Sequence, residues 1–329
     1  MTDPPATDAS RGPTPRATAG CAGLSEAAGE PQTGTAPHVR RLVAVEHVGA
    51  WPRAVADHPD PAVAALWARL RADDVTLLLI RRTGRAGRCA ADDARTVYVA
   101  DLAPGASLSW SRTVRSTDDL AGIDLDPAAG TPVTDPVMLV CAHGRRDVCC
   151  AVLGRALAGD LAAEGADVWE CTHLGGHRFA PTALVLPTGY AYGRLDTGAA
   201  LAALKAAAGG GVDPWACRGH TGLDPAQQLA ELAVREHTGI GDAGALLVDP
   251  VSPTDGGPVT VTVRARDGRV WTVPVRAGAA LPARPPSCGA ALEPAVPMVA
   301  GVPVLRRRVR RTATRVRSVV RARVSTARH

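Results

Sequence analysis

CAHGRRDVCCAVLGRALAGDLAAEGADVWECTHLGGHRFA, residues 141 to 180, decides the reading of the chain. The apolar run Pro136 to Cys141 leads into it with the length of a short strand. Within it, about Cys150 to Glu164 reads as a helix, and Asp167 to Glu170 returns as a strand. A glycine-containing loop follows, then two strands around the Pro-Thr-Gly turn at 187–189 and an alanine-rich helix near Gly198 to Ala208.

That order, β-α-β-loop-β-β-α, with helices on the faces of a central sheet and a final antiparallel pair, is the thioredoxin plan. Upstream, RLVAVE at Arg41 to Glu46 suggests a strand, and PAVAALWARLRA at Pro61 to Ala72 a helix with proline at its first position. Strands at Val75 to Ile80, Thr96 to Leu102 and Ser107 to Val114 precede the helix-start signal Ser-Thr-Asp-Asp at 116–119. This half reads as a degenerate copy of the same plan, set apart by the Pro-, Asp- and Gly-rich break at Asp124 to Asp135. Downstream, the amphipathic helix Pro225 to His237 leads to strands at Ala245 to Val248, Val259 to Arg264 and Val270 to Val275, the last two a hairpin through Asp267-Gly268. The expected fold is therefore α/β, with a thioredoxin-like domain over 131–240, a related half over 38–130, and a small C-terminal α+β appendage whose strands span 241–281. Residues 1–37 read as a disordered lead, and 282–329 as a proline-rich linker followed by an arginine-rich tail.

Composition adds exclusions. One lysine, Lys205, stands against 36 arginines, and the last 24 residues carry ten of them without an acid. The tail is thus strongly basic on a mildly acidic body and suits contact with anionic surfaces. It holds no Tyr, Trp or Phe, so nothing favours sequence-specific nucleic-acid recognition. The first 30 residues lack the apolar core of a signal peptide, and no run reaches the ~18 apolar residues of a membrane span. Eight cysteines without a secretory signal, four of them between Cys141 and Cys171, point to metal or redox chemistry in the cytoplasm.

Four cysteines and three histidines fall within residues 141–177. Thiolates with imidazoles suit iron–sulfur clusters, zinc or copper, whereas magnesium or calcium would ask for clustered carboxylates. Cys141 ends a strand, and Cys149 and Cys150 open the next helix, so both sides of that loop reach one point. Gly175-Gly176 between His173 and His177 predicts an irregular loop rather than a helical i, i+4 pair.

At these residues the chain resembles the sucrase/ferredoxin-like family. The shared blocks are the CxHGxRDxxCxxxGxxLA-type run at Cys141 to Ala158, HLGGHRFA at 173–180, LVLPTGYAYGRLD at 184–196 and RGHTGLDPAQQLAELAVRE at 218–236, with weaker echoes at Cys21, Gly34-Thr35-Ala36, Val45-Glu46, Gly49 and Trp51. The resemblance implies a thioredoxin-like ferredoxin domain with a [2Fe–2S] cluster, Cys141 and Cys150 binding one iron and His173 and His177 the other. Cys149 is the alternative to Cys150, and Cys171 is a neighbour of the ligand set or its substitute. Histidine ligation removes negative charge from the cluster, which raises its potential above that of four-cysteine ferredoxins. An electron carrier passing electrons to an unnamed redox protein is the function implied, rather than an enzyme.

Competing readings are a zinc-stapled binding module, with Zn in place of the cluster, and a thiol–disulfide oxidoreductase. The second lacks a CxxC at the helix start and has only the vicinal Cys149-Cys150. A glycosidase would need two carboxylates flanking a sugar, and only Asp147 and Glu170 lie inside the motifs. Cys21, Cys89, Cys217 and Cys288 read as structural or incidental.

Overall fold

A computed structural model of the chain describes residues 20–84, 87, 94–251 and 257–308. Ten strands form one mixed sheet: β1 (Arg41–Glu46), β2 (Thr76–Arg81), β3 (Arg95–Asp101), β4 (Leu108–Val114), β5 (Thr131–Pro132), β6 (Val137–Cys141), β7 (Val168–Cys171), β8 (Ala183–Leu186), β9 (Tyr190–Tyr192) and β10 (Cys217–His220). Their order is β10-β9-β8-β6-β7-β2-β1-β3-β4-β5. In the first half β1 runs parallel to β2 and antiparallel to β3, which pairs antiparallel with β4. The second half repeats this with β6 parallel to β7, antiparallel to β8, and β8 antiparallel to β9. The equivalent strands β2 and β7 meet antiparallel, Ile80 opposite Cys171 and Arg81 opposite Glu170, so the halves are related by an approximate two-fold through that seam.

Local chemistry places the helices. Helix α1 (Cys21–Ala27) stands ahead of the sheet; α2 (Pro61–Ala72) starts at Asp60, whose carboxylate accepts from Ala62 N, with proline at the first position. The short α3 (Thr117–Ala121) and α4 (Arg155–Ala163) follow, and α5 (Thr197–Ala208) is capped by Asp196. Helix α6 (Pro225–Thr238) opens with a reciprocal Asp224–Gln227 capping box and ends at Gly239 in the left-handed region. One sheet face is covered separately in each half, Val43, Val45, Leu77 and Leu79 packing with α2, and Met138, Val140, Ala183 and Val185 with α4 and α5. The opposite face runs unbroken across both halves through Leu42, Ile80, Leu139, Cys141, Trp169 and Leu184. The candidate site lies on this continuous face.

The appendage is a sheet of β11 (Leu246–Val248), β12 (Val259–Ala265) and β13 (Arg269–Ala277), with the expected Asp267-Gly268 hairpin, packed on α6. Three readings are corrected here. The stretch taken as a proline-rich linker carries β14 (Leu281–Arg284) paired with β15 (Glu293–Ala295), and β16 (Met298–Ala300) and β17 (Val304–Arg308) both pair with β13. Pro282 and Pro294 hid the short pair, because proline survives in a sheet only where its missing donor is not needed. Part of the lead taken as disordered is ordered, since α1 buries Cys21 and Ala22. The helix expected from Cys150 begins as a π-turn, Cys150–Gly154, before continuing as α4. The first 19 residues, Cys89 and the tail beyond residue 308 lie outside the described residues.

Candidate metal centre

Cys141 is the last residue of β6, fully buried, and the loop after it turns tightly as Arg146 N and Asp147 N both donate to His143 O. The π-turn then presses against the strand end. A Cβ on Gly154 would lie 2.0 Å from Cys141 O, so only glycine allows this approach. The contact sets the Cys150 thiol against the Cys141 sulfur, and that hydrogen bond holds Cys141 well below the usual thiol range. The same bond, with burial, pushes Cys150 up.

The histidine loop leaves β7 with Thr172 N donating to Leu79 O. Gly175 and Gly176 take left-handed conformations, φ 76° and 68°, and a 3-10 turn spans His177–Phe179. The predicted irregular loop is what forms. The His173 and His177 rings stack with centroids 5.1 Å apart. His173 lies beside the Cys141 sulfur, and burial lowers the pKa of His177. Nδ1 of each ring is buried without a hydrogen-bond partner among the described residues.

From β10, the buried Arg218 donates to Gly175 O at 3.2 Å and to Thr35 Oγ1 at 3.1 Å, and also bonds Thr35 O. Gly176 must be glycine for a second reason, since a Cβ there would lie 2.2 Å from Arg218 Nη2. Arg218 thus carries the loop that carries the histidines. Sequence reading placed RGHTG in the resemblance without giving Arg218 this part.

Cys141 thus lies beside Cys150 and His173, and His177 stacks on His173, so the four residues share one neighbourhood. The donor set suits a soft or borderline metal. Cys171 is a fully buried neighbour whose pKa is raised by burial and by the charge of Cys141. Cys217 is buried elsewhere, its thiol directed at Ala191 O.

Cys149 turns the other way, into a second group. Its sulfur lies 3.8 Å from Cys21 Sγ and 3.4 Å from Cys288 Sγ, while Cys288 and Cys21 are 3.6 Å apart. Asp147 reaches within 3.5 Å of Cys21 Sγ. Ligand atoms from Cys21, Asp147, Cys149 and Cys288 all lie within 4.8 Å of one another, so this group could hold a metal ion. Cys21 and Cys288, read from sequence as structural or incidental, belong to it. The available signal was the doubled Cys149-Cys150, two thiols where one loop ligand suffices.

Among known proteins, the family model described as sucrase/ferredoxin-like matches residues 32–208. No curated protein and no solved structure matches the chain. The matched span includes β1 through α5 and all four residues of the Cys141 group, while Cys21 and Cys288 lie outside it. It covers more than half of the sequence, and the chain belongs to the sucrase/ferredoxin-like family.

Proposed function

We propose that the protein is a ferredoxin-like electron carrier of the cytoplasm, holding a [2Fe–2S] cluster through Cys141, Cys150, His173 and His177 in a thioredoxin-like domain over residues 131–240. The observation that carries this reading is the convergence of two thiols with two histidines whose buried Nδ1 atoms have no partner among the described residues. When bound, such a cluster supplies one-electron transfer at a potential raised by its histidine ligands.

The chain's own residues do the rest. Arg218 and the two glycines fix the histidine loop, and Gly154 seats the Cys150 turn against Cys141. His173 and His177 are only half-buried, which gives electrons a short way out. Around them Arg145, Arg146, Val148 and Val152 are exposed, a basic and apolar rim that suits an acidic redox partner. The half over 38–130 acts as a scaffold. Where β6 ends in Cys141, β1 ends in Glu46, whose carboxylate accepts from Thr96 N.

The described cysteines are all unpaired, as suits a reducing compartment, and no described helix is long and apolar enough to cross a membrane. Both motif acids have partners of their own. Asp147 accepts from Cys149 N and Cys288 N, and Glu170 pairs with Arg81 at 2.8 Å.

The test is anaerobic purification of the full chain, with visible absorption, EPR after dithionite, and iron, sulfide and zinc analysis for the wild type and His177→Cys. About two irons and two sulfides per chain, with a rhombic reduced signal that shifts in the variant, are expected. A colourless, iron-free protein would overturn the reading in favour of a zinc-stapled module.

A further inference from the structure

We propose that Cys21, Cys149, Cys288 and Asp147 form a second metal centre, a closed tetrahedral site for Zn2+ that staples three distant parts of the chain. It is separate from the cluster ligands and does not rest on them. With Zn–S near 2.3 Å and Zn–O near 2.1 Å, a regular tetrahedron has S···S edges of about 3.8 Å and S···O edges of about 3.6 Å. The three sulfur–sulfur separations are 3.4, 3.6 and 3.8 Å, and Cys21 Sγ lies 3.5 Å from Asp147 Oδ2. Three thiols cannot all be consumed by a disulfide, whereas one tetrahedral ion uses all three and the carboxylate.

The surroundings match a ligand set. Backbone N–H groups of Cys149 and Cys288 donate to the two Asp147 oxygens at 2.8 Å each, fixing the carboxylate as outer hydrogen bonds fix metal ligands. Cys21, Cys149 and Asp147 are buried, and Asp147 has no ion-pair partner among the described residues, so a buried negative charge lacks a counter-ion that a divalent metal would supply. The wall is closed by Gly20, where a Cβ would lie 2.3 Å from Cys149 Sγ. Three thiols and a carboxylate fill all four positions of a tetrahedral ion, so the site is structural rather than catalytic. Its ligands bridge sequence separations of 126, 139 and 267 residues. They tie α1 and the segment after β14 to the loop that bears Cys150.

Zinc and iron are measured separately on the full chain, so failure of this site and failure of the cluster are distinguishable. Wild type is expected to hold about one zinc per chain, with zinc-edge X-ray absorption giving three sulfurs near 2.3 Å and one oxygen near 2.0 Å. Cys288→Ser, in a partly exposed arm, should lose at least three-quarters of the zinc and keep its iron; Cys21→Ser should do the same, and His177→Ala should keep the zinc. Circular dichroism on each variant establishes that it is folded. Zinc-free wild type after growth with added zinc, zinc retained in both cysteine variants, a Cys149–Cys288 disulfide in mass spectra, or loss of iron and sulfide from folded Cys288→Ser would each overturn the proposal.

Discussion

Gly176 and Gly175 are neighbours with the same left-handed backbone and different surroundings. A Cβ on Gly176 would meet the Arg218 guanidinium at 2.2 Å, whereas one on Gly175 would have only Pro37 Cβ within 4 Å, at 3.9 Å. Gly175→Ala should therefore cost only the backbone penalty of an L-residue in that region, about 1 to 2 kcal/mol, and keep its iron. Gly176→Ala must also displace Arg218 or swing His177 away, and its iron per chain should fall below half of wild type. Equal iron in both variants would mean that Arg218 does not position the histidines. At this scale the sequence was most legible for the residues that touch one another across a short loop, as HxGGH and the cysteine run do. Arg218 was not, because its guanidinium reaches the loop from a strand more than 40 residues away, and nothing local marks that reach. Cys149 and Cys150 show the same limit: their adjacency was plain, but which side each faces depends on a π-turn that only packing reveals.

Elements whose ends are written in their own residues were read well. Pro61 to Ala72, the hairpin at Asp267-Gly268 and the start of α6 all carry their caps or turn residues locally. Strands at β14 to β17 and helix α1 were missed because they are stabilised by partners far along the chain, against a local composition of proline, threonine and glycine. Helix α6 also shows what fixes an element once it is formed. The Arg235 guanidinium donates to Glu231 at 2.6 Å and to the Tyr190 hydroxyl at 2.9 Å, both buried, and to the carbonyls of Ile240, Asp242 and Ala243. Tyr190 in turn donates to Glu231 at 2.5 Å, which locks α6 to β9. Arg235→Met leaves Glu231 charged and buried without its partner and should cost about 3 to 5 kcal/mol in denaturant unfolding. Tyr190→Phe removes one hydroxyl and should cost about 1 to 3 kcal/mol. The network packs on the sheet face away from the Cys141 group, so both variants should keep their iron when folded. A smaller cost for Arg235→Met than for Tyr190→Phe would show that the ion pair is not what holds the helix.

Across the whole molecule, the repeat of strand order in the two halves was foreshadowed by two similar successions of elements, but the seam was not, because nothing in β2 or β7 announces an edge-to-edge pairing. The closure of the chain on itself was equally invisible. Glu30, in the segment after α1, accepts from Arg284 Nε at 2.6 Å, from Arg178 Nε at 2.8 Å and from Ser25 Oγ at 2.8 Å. One carboxylate thus joins the beginning of the described chain, the β14 strand and the residue after His177. Burial by itself would raise the pKa of Glu30, but the bonds from Arg284, Arg178 and Ser25 outweigh it and hold the group below 4.5. A carboxylate whose folded pKa is depressed contributes stability that is present above its unfolded pKa and is lost as the pH falls through the folded value. Acid should therefore release this junction below pH 4.5, and hydrogen exchange at residues 20–37 and 281–288 should rise there ahead of exchange in β6 and β8. Glu30→Gln keeps the shape and removes the charge, so its arms should exchange faster at pH 7 and change little between pH 7 and 4. If the wild-type arms stay protected to the pH at which the central strands open, the Glu30 ion pairs are not what closes the chain, and the sulfur-rich group at Cys21 and Cys288 is left as the stronger tie.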